Sequence, residues 1–326
     1  MVMTKNKVLI IQPIHEKALA LLDARDDVSY EVLTDFSEET LLKHVGSADA
    51  ITVRDAPISR KVIEQAISAR IVSRHGVGFD NVPVDLCTEM NIPVTIVGPV
   101  NAVSVSEHTM FLLLAAARVG IELDSAVREG RFAARANTLS VELNGKTLLL
   151  IGCGRIGTKV AHRATALGMR VLVFDPYLSD STDMPITLIG SLGEALKQAD
   201  AVSLHVPLTD ETQGILGERE LALLPQGAIV VNASRGGLID ENALIHAMRS
   251  GKLHGAGLDT FEMEPLPPES PLAAEKRIVL SPHSAALTED ALIGMGMKTV
   301  ENVLAAFDGM LDPELVVNKE VLEEER

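Results

Sequence analysis

Short apolar runs alternate with amphipathic stretches along nearly the whole chain. Residues 7–11 predict a strand, 15–22 a helix, 31–33 a strand, and 37–45 a helix with Ser37 as N-cap. Strand 50–53, helix 59–66 and strand 71–73 follow. A periodic apolar segment from Asn101 through Phe111 and Arg118 toward Arg128 predicts one long connecting helix. Beyond it, strands are predicted at 148–151, 171–174, 200–206, 229–232, 255–258 and 278–280. Helices are predicted at 155–167, 240–249 and 288–308, with a loop over 259–271 and a frayed, charged end at 320–326. Unbroken apolar strands alternating with helices predict an α/β fold of parallel sheets covered on both faces.

One stretch, residues 147–175, carries a specific signal. The apolar run 148–151 leads into Gly152, Gly154 and Gly157, and a helix follows that stops at Gly168. The first glycine allows a tight turn, the second lets a pyrophosphate approach bare backbone, and the third lets helix and strand pack closely. The helix N-terminus points free N–H groups at the phosphates. Strand 171–174 then delivers Asp175, 18 residues past the last glycine. A carboxylate there accepts bonds from ribose hydroxyls and repels a 2′-phosphate, so NAD is expected over NADP.

Composition narrows the possibilities further. The 326 residues suffice for two cores, and 47% apolar with 23% charged content is that of a globular protein. The net charge of −16 argues against a nucleic-acid partner. No apolar run reaches the roughly 18–20 residues of a membrane span, and no signal peptide is visible, so a cytoplasmic protein is expected. Cys87 and Cys153 make neither a disulfide framework nor a metal site, and no metal is expected.

Three ionisable residues follow predicted strands of the second half: Arg235, Glu264 and His283. In a parallel sheet such ends open on one edge, where the cofactor also lies. An arginine fork holds a carboxylate bidentately, an imidazole can protonate an alkoxide, and a glutamate can fix the imidazole tautomer and raise its pKa. In the first half, Arg74-His75-Gly76-Val77-Gly78-Phe79-Asp80-Asn81 places two glycines just past a strand. Arg54 and Arg74 stand ready either to clamp a phosphate or to pair with acids such as Asp55 or Asp80.

With those residues in place, the chain resembles the D-isomer-specific 2-hydroxyacid dehydrogenases over nearly its whole length. The likeness rests on Gly76–Asn81, on Gly145-Lys146 leading to Ile151–Gly157, on Leu204-His205-Val206-Pro207-Leu208-Thr209, on Val231–Gly237 and on Ser281-Pro282-His283. It implies a Rossmann NAD-binding domain (101–286) inserted into a flavodoxin-like substrate domain (1–100 plus 287–326). It implies Arg235, Glu264 and His283 as catalytic residues, and Val77 and Gly78 as backbone donors to the substrate carboxylate. Arg155 and Ile156 would contact the pyrophosphate, Asp175 the ribose and Asp259 the nicotinamide amide, with His205, Pro207 and Ala233 beside the cofactor. The implied reaction is NAD-dependent interconversion of a small 2-keto acid and its D-2-hydroxy acid, either 3-phosphoglycerate/phosphohydroxypyruvate or glyoxylate/hydroxypyruvate. A homodimer through the NAD domain is implied, and a nucleotide-sensing protein on the same fold is the rival. The sequence shows no added regulatory domain, so no serine feedback is expected. Phe132-Ala133-Ala134, Cys153 and His75 depart from common family patterns, and His75 does so beside the substrate loop.

Overall fold

The computed structural model describes residues 5–178 and 185–322. The chain divides into two compact units, residues 1–101 with 288–326, and residues 102–287. The second is thus inserted into the first, and the chain returns after it.

In the first unit, strands β1 (Asn6–Ile11), β2 (Val28–Leu33), β3 (Ala50–Val53), β4 (Val72–Arg74) and β5 (Val94–Thr95) form a sheet of order β2-β1-β3-β4-β5. Every ladder is parallel. Period-two alternation sorts the apolar side chains. Leu9 and Ile11 face one core with Leu41, Val62 and Ile63 of helices Glu38–His44 and Arg60–Gln65. Val8 and Ile10 face the other core with Leu22, Val300 and Val303 of helices Glu16–Asp23 and Glu289–Phe307. Ser37 caps its helix as the sequence suggests, its Oγ accepting from the Thr40 N–H, and Thr288 Oγ1 likewise accepts from the Ala291 N–H.

In the second unit, β6 (Thr147–Ile151), β7 (Arg170–Phe174), β8 (Ile186–Leu188), β9 (Ala201–Leu204), β10 (Ala228–Asn232), β11 (Leu253–Leu258) and β12 (Ile278–Leu280) form a parallel sheet. Its order is β12-β11-β10-β9-β6-β7-β8. The order reverses between β6 and β9, so the carboxyl ends of those two strands open a crevice, the place where doubly wound sheets bind ligands. Leu149 and Ile151 pack on one face, Leu148 and Leu150 on the other. Helix Ala102–Arg118 lies against β11 so closely that a Cβ on Gly257 would stand 2.7 Å from the Leu112 Cβ.

Several expectations need correction. The single helix toward Arg128 is two helices, Ala102–Arg118 and Gly120–Arg128, broken where Val119 takes a left-handed φ of 50°. Apolar periodicity runs through such a break unaltered, because one left-handed residue redirects the axis without changing the spacing of apolar residues. Short elements at Val84–Glu89, Val94–Thr95, Ile186–Leu188, Leu192–Leu196 and Glu218–Leu223 carry too few residues to show a period. The strand read to residue 206 stops at Leu204, and a helical turn, Pro271–Ala274, closes the expected loop. Of the expected frayed end, Lys319–Leu322 is a 3₁₀ turn with Val321 buried, and residues 323–326 lie outside the described residues.

Candidate active site

The turn after β6 is built from glycines that the geometry requires. Gly152 has φ 88°, and a Cβ there would meet the His205 carbonyl oxygen at 2.7 Å. A Cβ on Gly157 would stand 2.6 Å from the Gly152 carbonyl oxygen. Gly154 differs: a Cβ on it meets nothing within 4 Å, so its backbone faces open space. Helix Arg155–Ala166 starts there with no side chain capping it. The N–H groups of its first turn, which include those of Arg155 and Ile156, suit an anion. At the tip of β7, Asp175 takes the Cys153 N–H on Oδ2 and the Tyr177 N–H on Oδ1, each at 2.9 Å, which ties the acid to the glycine turn. Across the crevice, the half-buried His205 ring bonds Ser203 Oγ at 2.9 Å, and its removal from water lowers its pKa to about 4. It is a neutral group. Pro207 is exposed beyond it, while Ala233 is buried at the end of β10.

The three ionisable residues stand on loops that are locked together. After β10, Asn232 makes an Asx turn: its Oδ1 accepts from the Ser234 N–H and its Nδ2 donates to the Arg235 carbonyl. Ser234 Oγ donates to the Val206 carbonyl, 2.7 Å away, fastening this loop to the end of β9. Gly236 then presses on the next loop, where a Cβ would lie 1.8 Å from the Phe261 carbonyl oxygen. In that loop the Phe261 N–H donates to Glu264 Oε1 at 3.0 Å. The other oxygen, Oε2, lies 2.8 Å from His283 Nδ1.

These contacts set the charges. The Glu264 hydrogen bond raises the His283 pKa over the opposing effect of burial, while the Arg235 charge lowers it. Burial pushes Glu264 up, but bonds from His283 and the Phe261 N–H carry it below the usual carboxylate range. His283 itself sits in a left-handed turn with φ 49°. An apolar cavity of about 380 Å³ adjoins the pair, lined by Phe261, Leu266 and Leu280 among others.

In the first unit, Arg54 follows β3 and Arg74 ends β4, and both are engaged. Arg54 Nη1 donates to the Pro13 carbonyl. Arg74 donates from Nη1 to the His75 carbonyl and pairs from Nη2 with Asp55 at 3.2 Å; its side chain is 11% exposed. The pairing with Asp55 is one of the two outcomes the sequence left open. His75 is buried, and burial together with the Arg54 and Arg74 charges lowers its pKa to about 4. Gly76 leaves space that the Arg74 guanidinium fills, and the Val77–Gly78 backbone follows it.

Known proteins show the family. Residues 110–285 match the model of the D-isomer specific 2-hydroxyacid dehydrogenase, NAD binding domain. The chain belongs to the D-isomer-specific 2-hydroxyacid dehydrogenase family. It is 40% identical over 336 residues to the glyoxylate reductase of Aeropyrum pernix, covering 98% of each chain. It is 39% identical over 323 residues to the D-3-phosphoglycerate dehydrogenase of Methanocaldococcus jannaschii, covering 98% of this chain and 61% of that one. The chain thus spans about three-fifths of the length of that relative. A D-lactate dehydrogenase from Aquifex aeolicus, solved with NAD and lactic acid, matches with TM-score 0.85 at 28% identity over 95% of this chain and 99% of that one.

Strands β6–β12 fall within the residues that match the family's NAD-binding domain. The open space over Gly154, the uncapped helix start and Asp175 fit a dinucleotide. Asp259 is engaged by donors from the turn that follows β12. Its carboxylate is 1% exposed; Oδ1 accepts from Ser281 Oγ and the Ser284 N–H, and Oδ2 from the Ala285 N–H. Burial raises its pKa, but these donors and His108 hold it down at about 2. Only Oδ2 keeps a spare lone pair for any further partner. Sequence reasoning assigned no role to Asn232, Ser234, Ser281, Ser104 or His108. The Asn-x-Ser step after β10 was the one local signal available, an Asx turn at a strand end.

Proposed function

We propose that the protein is an NAD-dependent oxidoreductase that interconverts a small 2-oxo acid and its D-2-hydroxy acid. The observation that carries this reading is the 2.8 Å contact between His283 Nδ1 and Glu264 Oε2 beside the charge of Arg235. When bound, NAD supplies the hydride chemistry. The Arg235 fork holds and polarises the oxo acid. With Nδ1–H committed to Glu264, Nε2 is the ring atom left to give a proton to the developing alkoxide, and to take it back in oxidation. Glu264 keeps the imidazolium charged until that transfer. Asp175 favours NAD over NADP through its charge. On the first unit, Val77 and Gly78 are assigned as backbone donors to a carboxylate.

For the substrate, the inward pairing of Arg74 with Asp55 and the His75 carbonyl favours an unphosphorylated acid, glyoxylate or hydroxypyruvate. Phosphohydroxypyruvate is the second reading, favoured by the buried Nε of Arg54, which has no hydrogen-bond partner, and by the Arg54 and Arg74 charges that add to burial in lowering the His75 pKa. We also propose a homodimer through the second unit, where Phe111, Leu114, Ile121 and Leu167 line an open apolar groove of about 760 Å³.

The test is oxidation of NADH by purified protein with glyoxylate, hydroxypyruvate, phosphohydroxypyruvate and pyruvate, and chiral analysis of the product. Turnover to the D-acid is expected, with His283→Ala slower by about 10²–10⁴. Turnover confined to phosphohydroxypyruvate and lost in Arg54→Ala would select the second substrate reading. No turnover on any acid, with NADH still bound, would end the enzyme reading.

A further inference from the structure

His283 is aimed by a turn that its own sequence does not favour. A left-handed φ is uncommon for a residue with a Cβ and persists only when its surroundings hold it. Within the turn, the His283 N–H donates to the Asp259 carbonyl at 2.8 Å, and the Ser284 and Ala285 N–H groups donate to the Asp259 carboxylate.

Outside it, helix Ala102–Arg118 grips both flanks of His283. Ser104 Oγ donates to the Ala285 carbonyl at 2.7 Å, and His108 Nε2 lies 2.8 Å from Ser281 Oγ. Positions 104 and 108 are four apart, so they share one helical face. The Ser281 hydroxyl has one proton and gives it to Asp259 Oδ1 at 2.5 Å. Ser281 therefore accepts from His108, which fixes the proton of His108 on Nε2. The helix that bears them is well anchored, with Leu112 and Leu113 fully buried and its backbone pressed on Gly257.

We propose that Ser104 and His108 are positioning residues that clamp the turn of residues 281–285 and thereby aim the His283 imidazole at the substrate. The inference rests on the reading of His283 as the proton donor. Loss of a clamp would leave the acid present but misplaced. A displacement of about 1 Å in such a group costs about ten- to hundredfold in rate.

The experiment compares His108→Ala, His108→Gln and Ser104→Ala with the wild-type protein, by steady-state kinetics, NADH titration and amide hydrogen exchange. Gln places an N–H donor close to the position of Nε2. His108→Ala is expected to lower kcat about tenfold or more while NADH affinity changes by less than about twofold. The amides of Ser284 and Ala285 should exchange faster, while those of β10 do not. His108→Gln should restore kcat and protection together. Unchanged kcat and protection in His108→Ala, or no rescue by His108→Gln, would overturn the clamp. If the wild-type protein reduces no 2-oxo acid, the catalytic reading fails instead, and amide exchange still reports whether His108 and Ser104 hold the turn.

Discussion

Glu264 Oε2 and His283 Nδ1 stand 2.8 Å apart, and the contact moves the two titrations in opposite directions, His283 upward and Glu264 downward. Reduction of an oxo acid needs His283 protonated, so its rate should hold at low pH and fall as pH rises through an imidazole pKa above the ordinary 6.5. Oxidation needs the neutral ring and should show the opposite limb. Glu264→Gln removes the largest cause of the upward shift, so the falling limb of reduction should move to lower pH. Rate–pH profiles in both directions check this. A limb that stays in place in Glu264→Gln would show that Glu264 does not set the imidazole pKa.

Gly152 and Gly154 should respond differently to the same change. Gly152→Ala puts a Cβ at φ 88° and 2.7 Å from the His205 carbonyl oxygen, and should destabilise the protein by about 1–3 kcal/mol. Gly154→Ala meets no protein atom within 4 Å, so the melting temperature without cofactor should hold. NADH binding should nonetheless weaken about tenfold, or about 1.4 kcal/mol. Thermal melts and fluorescence titration separate the two effects.

Gly236→Ala cannot be accommodated by a side-chain movement, because the obstructing atom is the Phe261 carbonyl oxygen at 1.8 Å. The loop that carries Glu264 must shift. A loss of about 1–3 kcal/mol is expected from overpacking, together with a lower kcat. Urea denaturation and steady-state assays on one preparation would show both, and wild-type kcat in this variant would mean the two loops are not coupled.

Asp175→Ala should relax cofactor choice. Removing the carboxylate removes its repulsion of a 2′-phosphate, so the ratio of kcat/KM for NADPH over NADH should rise by about tenfold or more. The Cys153 and Tyr177 N–H groups lose their acceptor, so the melting temperature should fall as well. An unchanged ratio would assign Asp175 to bracing the glycine turn alone.

The sequence by itself determined the parallel strands, the glycine turn with its acid, and the placement of Arg235, Glu264 and His283 after strands of the second unit. Each is a local matter: strand burial, a tight turn and a strand-end residue all show within a few neighbours in the chain. The breadth of the resemblance added the family. Only the tertiary structure decided where the long helix breaks, because the left-handed Val119 leaves the apolar period intact. It alone showed that Arg74 turns to Asp55 and the His75 carbonyl, and that both oxygens of the Asp259 carboxylate accept from donors of residues 281–285. Folding also brought Ser104 and His108 to the His283 turn, across more than 170 residues of chain. Hydrogen bonds of that span leave no period or spacing in a sequence. They exist only once the sheet has brought its strand ends to one edge and a helix has packed beside them.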